Sequence, residues 1–143
     1  NVYYQTKLAT GRWLPVVNNN EDYAGIRGQN ITGLAVTTDT GYIKYRVHVG
    51  SGWLDFIDSR NTDINDYYNG YAGNDTPVDA VEIYYYTPDD IINSSGYHYA
   101  FYRVSPVNSN YYSYQKDNNN DNGMDGYAGI LGHFIDRLQI DIR

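Results

Sequence analysis

Short runs of alternating apolar and polar residues, separated by stretches rich in Asn, Asp and Gly, extend along the whole chain. Side chains on a β-strand point alternately to its two faces, so this spacing predicts strands. In residues 45–49, Tyr45, Val47 and Val49 share one face, while Lys44, Arg46 and His48 share the other. Residues 4–8 and 102–104 open on Tyr in the same way. A second set, residues 31–36, 78–83 and 135–140, places Leu34 and Val36, Val81 and Ile83, and Leu138 and Ile140 in one predicted core. Between the two sets lies an aromatic pair: Trp13-Leu14, Trp53-Leu54, and Tyr111-Tyr112. Strand parity there predicts Leu14 with Val16, and Leu54 with Phe56, on one side. Trp13 with Pro15, and Trp53 with Asp55, fall on the other.

These features recur in one order, three times, around the tripeptides Tyr23-Ala24-Gly25, Tyr71-Ala72-Gly73 and Tyr127-Ala128-Gly129. The reading is therefore one domain, residues 1–143, with internal repeats at about 3–37, 43–84 and 98–142. The expected fold is all-β: antiparallel sheets from three copies, either packed sheets or a trefoil-like barrel. The Gly of each tripeptide is expected to supply a turn conformation that a side chain would forbid. Residues 18–22, 61–70 and 117–126 are expected surface loops, of different length in each copy. Between the second and third copies, residues 84–101 read as two strands around a loop at 88–96.

Composition narrows the function. Eighteen tyrosines with frequent Val and Ile suit strands, and acidic residues that are almost all Asp suit turns. A net charge of −7 argues against a nucleic-acid binder, which needs clustered Lys and Arg, and against docking on an anionic bilayer. No apolar stretch approaches the roughly 20 residues of a membrane span. With no cysteine there is neither a disulfide framework nor a thiolate metal site, which is compatible with bacterial export. Beginning at Asn1, the chain reads as processed or cut from a larger protein.

Catalytic patterns are sparse. His48, His98 and His133 have no metal-ligand spacing, and His48 on a polar strand face reads as a solvated histidine. No serine sits in a nucleophile elbow. Asp79 and Asp136 share a repeat position where the first copy has Thr32, which suits a structural role. Oxygen-bearing residues run from Asp117 to Asn122 as in a calcium loop. However, Gly123 is out of step and the closing Glu is missing, so a flexible polar loop is expected. No cofactor or metal is implied. What remains is a surface of Trp and Tyr beside Asn and Asp, suited to a neutral polar polymer such as a wall carbohydrate. Two other classes stay open: a small carbohydrate-active enzyme using a loop Asp pair, and a surface adhesin module.

The fragments Tyr45-Arg46-Val47-His48-Val49, Gly52-Trp53-Leu54, Asn69-Gly70-Tyr71-Ala72-Gly73-Asn74 and Val78-Asp79-Ala80-Val81-Glu82-Ile83 resemble a repeat at the C-termini of Gram-positive cell-wall lytic enzymes. So do Asp125-Gly126-Tyr127-Ala128-Gly129 and Ile135-Asp136-Arg137-Leu138-Gln139-Ile140. The chain is similar to the target-recognition domain of streptococcal lytic exoenzymes of the zoocin A type, with related modules in phage endolysins. This resemblance implies the non-catalytic, cell-wall-binding half of a secreted peptidoglycan hydrolase, tethered to a separate catalytic domain. Its partner would be peptidoglycan or wall carbohydrate outside the cell. The expected contact residues are Trp13 and Trp53. Tyr111 and Tyr112 are their counterparts where the third copy departs from Gly-Trp-Leu.

Overall fold

A computed structural model describes every residue, Asn1–Arg143. The strands are β1 (Val2–Leu8), β2 (Val17–Asn18), β3 (Ala24–Gly25), β4 (Ile31–Thr38), β5 (Tyr42–Val49), β6 (Gly52–Trp53), β7 (Ile57–Asp58), β8 (Ala72–Gly73), β9 (Ala80–Tyr86), β10 (Ala100–Pro106), β11 (Gln115–Lys116), β12 (Ala128–Gly129) and β13 (Ile135–Ile142). They form three antiparallel sheets, none closed into a barrel, so the trefoil-like alternative is set aside. The first sheet runs β2-β1-β4-β8 and the third β11-β10-β13-β3; the second runs β12-β9-β5-β6, with β7 also on β5.

Each sheet is centred on a long antiparallel pair. Tyr4 lies opposite Val36, Tyr45 opposite Ile83, and Tyr102 opposite Ile140. The alternation along β1, β5 and β10 sends one side of each strand into a common core of 23 buried residues. All six predicted core residues, Leu34, Val36, Val81, Ile83, Leu138 and Ile140, belong to it. Burial of this apolar surface is the main favourable term holding the sheets together.

Three tyrosines stand wholly inside that core, and each hydroxyl must find a partner there. Tyr4 donates to the Asn19 carbonyl at 2.6 Å. Tyr102 donates to the Asp117 carbonyl at 2.7 Å and accepts the Ile83 N–H at 3.0 Å, so it ties the third sheet to the second. Tyr45 accepts the Val36 N–H and meets Thr62 Oγ1 at 2.7 Å. Thr62 gives its own proton to the Val36 carbonyl, which leaves Tyr45 as the donor to Thr62. Burial pushes the Tyr45 hydroxyl up to about 12, and pushes Tyr4 and Tyr102 well above the usual tyrosine range.

The Ala-Gly dipeptides pair in a ring. β3 adds to β13 of the third sheet, β8 to β4 of the first, and β12 to β9 of the second. Such close edge pairing requires glycine. Gly73 has φ 141°, and a Cβ there would run into the Thr32 carbonyl; Gly25 and Gly129 also have positive φ. The tripeptide glycines are therefore placed where a side chain is forbidden, but in edge strands rather than turns.

Two expectations are corrected. Residues 88–96 are not a plain loop: α1 (Asp89–Ser95) forms there, started by Pro88 and Asp89-Asp90 and ended by Gly96 at φ 88°. Proline and acidic residues favour a helix N-terminus, and glycine favours its end. The aromatic-pair segments are also not continuous strands. Trp13 bridges Lys7, yet Val17 pairs with Tyr4, so four residues span what three span on β1. Trp53 opposite His48 and Ile57 opposite Tyr45 repeat that excess of one residue. An inserted residue of this kind reverses the parity beyond it. Val16 and Phe56 are consequently exposed, at 57% and 43%, and Val17 and Ile57 turn inward in their place.

Candidate functional site

Each aromatic pair ends up where its sheet meets a tripeptide strand from elsewhere in the chain. Trp13 is half-buried on the first sheet and meets Tyr71, next to β8, edge to face with ring centres 5.0 Å apart. Trp53 is half-buried on the second sheet and meets Tyr127, next to β12, at 5.3 Å. On the third sheet the place is taken by Tyr111, and an arginine completes the contact. The Arg137 guanidinium lies 5.1 Å from the Tyr111 ring and 5.8 Å from that of Tyr23, next to β3. Edge-to-face pairing and cation–ring contact each hold an aromatic plane in place while leaving part of it to solvent.

Charged side chains fix these joints further. At the first, Lys7 lies 5.3 Å from the Tyr71 ring and pairs with Asp75 at 2.7 Å, and that carboxylate raises the Lys7 ammonium above its usual range. At the second, the Arg46 guanidinium covers Trp53 at 4.6 Å and Phe56 at 4.4 Å while donating twice to Glu82 Oε1. His48 is not the solvated histidine its strand face suggested. Its Nδ1 sits 2.6 Å from Oδ1 of the buried Asp79, and its ring stands edge-on to Trp53 at 5.2 Å.

Asp79 and Asp136 have a structural task that explains their burial. Oδ2 of Asp79 accepts the Gly132 N–H, and Oδ2 of Asp136 accepts the N–H groups of Gly28 and Asn108. Each carboxylate thus anchors the loop that follows a tripeptide strand added to its sheet. Burial works to raise Asp136. The Gly28 and Asn108 amides, the Ser105 hydroxyl and Arg137 outweigh it and hold the carboxyl below the usual range. At the matching register Thr32 bonds the carbonyls of Lys7 and Leu8 instead.

A cleft opens between each bulged segment and the tripeptide that follows it; the joints contribute Tyr23, Tyr71, and Tyr111 with Tyr127 to the three in turn, and neither Trp13 nor Trp53 lines any of them. The first, about 340 Å³, has Leu14, Val16 and Tyr23 in its wall. The second, about 160 Å³, is lined by Leu54, Tyr67, Tyr68 and Tyr71. The third is the largest at about 600 Å³ and is walled by Tyr111, Tyr112, Tyr114 and Tyr127, with Asn122 and Asp125 at its polar side. Tyr67 extends the first joint outward, 6.2 Å from Tyr71 and 5.2 Å from Tyr68, which is 83% exposed. The result is partly exposed rings, apart from the buried Tyr71, beside amide and carboxylate groups. Rings of this kind stack on the C–H faces of a sugar or the side chains of a peptide, while the neighbours bond its hydroxyls and amides.

Of the expected contact residues, the structure places Trp13, Trp53 and Tyr111 at the three joints. Tyr112 differs: it packs partly against the core and donates its N–H to the Val104 carbonyl, as Leu14 does to Thr6 and Leu54 to Val47. Sequence reasoning missed the tripeptide tyrosines as aromatic partners of these residues. Their threefold recurrence was visible, but the ring of exchanged edge strands that brings them there was not. No cluster of three or more His, Cys, Asp or Glu has the geometry to hold a metal. In the Asp117 loop, the first carboxylate of the calcium-like run turns inward onto the N–H groups of Tyr85 and Ala100. Compared with protein-family models, curated proteins and solved structures, the chain has no match in any of the three.

Proposed function

We propose that the chain is a non-catalytic targeting domain that binds streptococcal-type peptidoglycan, or a polymer attached to it, on behalf of a lytic exoenzyme acting outside the cell. The observation that carries this reading is the set of three aromatic joints, Trp13 with Tyr71, Trp53 with Tyr127, and Tyr111 with Tyr23 through Arg137, each contributing a tyrosine to the wall of a cleft. Rings fixed this way need little further ordering when a ligand arrives, which strengthens binding to a neutral, hydroxyl-rich polymer. Three such places on one scaffold suit a ligand that repeats. Each site engaged raises the effective concentration of wall at the others and of any tethered enzyme at its substrate. The resemblance to target-recognition domains of wall-lytic exoenzymes points to the same ligand.

The test is sedimentation of the domain with purified streptococcal sacculi, both native and stripped of phosphodiester-linked polymers by hydrofluoric acid. The domain is expected in the pellet with both preparations. A domain left in the supernatant by both would overturn the reading.

A further inference from the structure

The ten Lys and Arg residues of this acidic chain are unevenly spread, and residues 61–99 contain none. Four of them, Arg103, Lys116, Arg137 and Arg143, gather on the third sheet, where they alternate with aromatic rings. We propose that the outer face of this sheet is a second binding surface, for an anionic polymer of phosphodiester-linked polyols or sugars.

The ladder runs across the strands. Arg103 lies between Tyr111 at 4.3 Å and Tyr114 at 4.8 Å, and Arg143 lies between Tyr114 at 4.9 Å and Phe101 at 5.0 Å. Beyond them the Lys116 ammonium stands 4.0 Å from the Tyr99 ring. Stacking fixes a guanidinium plane and leaves its N–H edge free to bond. Arg103 uses Nε and Nη2 on a single acceptor, Oε1 of the neutral Gln139, and has no carboxylate partner. Its remaining N–H groups face no acceptor in the chain. Lys116 has neither a hydrogen-bond acceptor nor an ion-pair partner; by contrast, Lys7 is held by Asp75 and Arg46 by Glu82.

Three carboxylates near this face are engaged, and a fourth, that of Asp22, accepts the Tyr23 N–H while the Asp22 backbone carbonyl is bonded by Gln139. Asp141 pairs with Arg143, and Asp136 is buried against Arg137. Asp117, beside Lys116, is buried and turned onto backbone N–H groups. Arg103 and Lys116 are thus left without a bonded carboxylate, in a chain whose net charge is −7. Lys116 pairs across from Phe101, two residues along β10 from Arg103. Diagonal neighbours in a sheet lie about 7–8 Å apart, a spacing that lets successive phosphates of one polymer reach both cations. Charge-assisted bonds to phosphate are the strongest that such groups form, and the flanking rings suit the apolar stretches between phosphates. The proposed wall-binding role supplies the setting, while the charge pattern alone supplies the chemistry.

The test measures retention of the whole chain on immobilised poly(glycerol phosphate), with neutral dextran and polyglutamate as comparison matrices. Wild type is expected to bind poly(glycerol phosphate) in preference to both. Arg103→Gln combined with Lys116→Gln should weaken that binding about tenfold or more. Lys116→Gln singly serves if the double variant does not fold, and should also weaken binding. No retention, equal binding to polyglutamate, or unchanged binding by folded Gln variants would overturn the proposal. Binding to acid-stripped sacculi is a separate readout. If it persists without polymer retention, only this inference fails; if it is lost while retention persists, only the peptidoglycan reading fails.

Discussion

Thr6 carries a fully buried hydroxyl with no hydrogen-bond partner. It lies opposite Leu34, whereas Val47 lies opposite Val81 and Val104 opposite Leu138 at the same register of the other two sheets. An unmet buried hydroxyl costs about 1–3 kcal/mol, so Thr6→Val is expected to stabilise the fold by about 1 kcal/mol. Thermal denaturation should show a rise of about 3 °C; a lower midpoint would contradict this. Asp117 gives a second prediction at this scale. Burial raises its carboxyl to about 6, against a reference of 3.8, despite bonds from Ala100 and Tyr85 and the charge of Lys116. Between those values the folded chain holds a proton that the unfolded chain has released. The stability this group contributes is therefore full below pH 3.8 and is lost as pH rises through about 6. Asn19, with φ 49° beside 44° at Asp117, makes the similar bond to the Val2 N–H without a charge. Asp117→Asn should accordingly melt higher than wild type at pH 7.5, with the gap closing by pH 4. Parallel melting curves at the two pH values would settle the point, and a constant gap would contradict it.

At the level of elements, the long strands were legible because period-two alternation persists for five or more residues in β1, β5 and β13, with one face turned to the core. Helix α1 was not. It has seven residues, none of them buried, and Ile91 and Ile92 are too few to set a helical period. Its Pro, Asp, Asn, Ser and Gly also read as turn chemistry. The bulges before Val17 and Ile57 were hidden for a different reason. A single inserted residue leaves no mark in composition, yet it moves every later side chain to the other face. Because no residue of α1 is fully buried and Thr87 already bonds both the N–H and the carbonyl of His98 beneath it, the helix is dispensable. Replacing residues 88–96 with Asn-Gly should change stability by less than about 1 kcal/mol and leave sacculus binding intact. Chemical denaturation together with the sedimentation assay checks both.

On the scale of the whole molecule, the sheets are interlocked by edge strands drawn from distant sequence. Ala24 pairs with Leu138, and Ala128 with Val81. Nothing in local periodicity encodes such partners, so strand content and core were readable while sheet order was not. The same exchange makes the candidate site composite. Trp13 and Trp53 stood out by parity, but their aromatic partners Tyr71 and Tyr127 arrive only through β8 and β12. The central claim is that the rings at these joints hold the wall. Its most direct test is the dissociation constant for acid-stripped sacculi of wild type, Trp13→Ala, Trp53→Ala and Tyr111→Ala, each first shown to be folded by its circular dichroism and melting curve. Each folded variant should bind about tenfold more weakly or worse, in line with the loss of about 1–3 kcal/mol expected on removing an aromatic contact. Folded variants that bind as tightly as wild type would contradict the account.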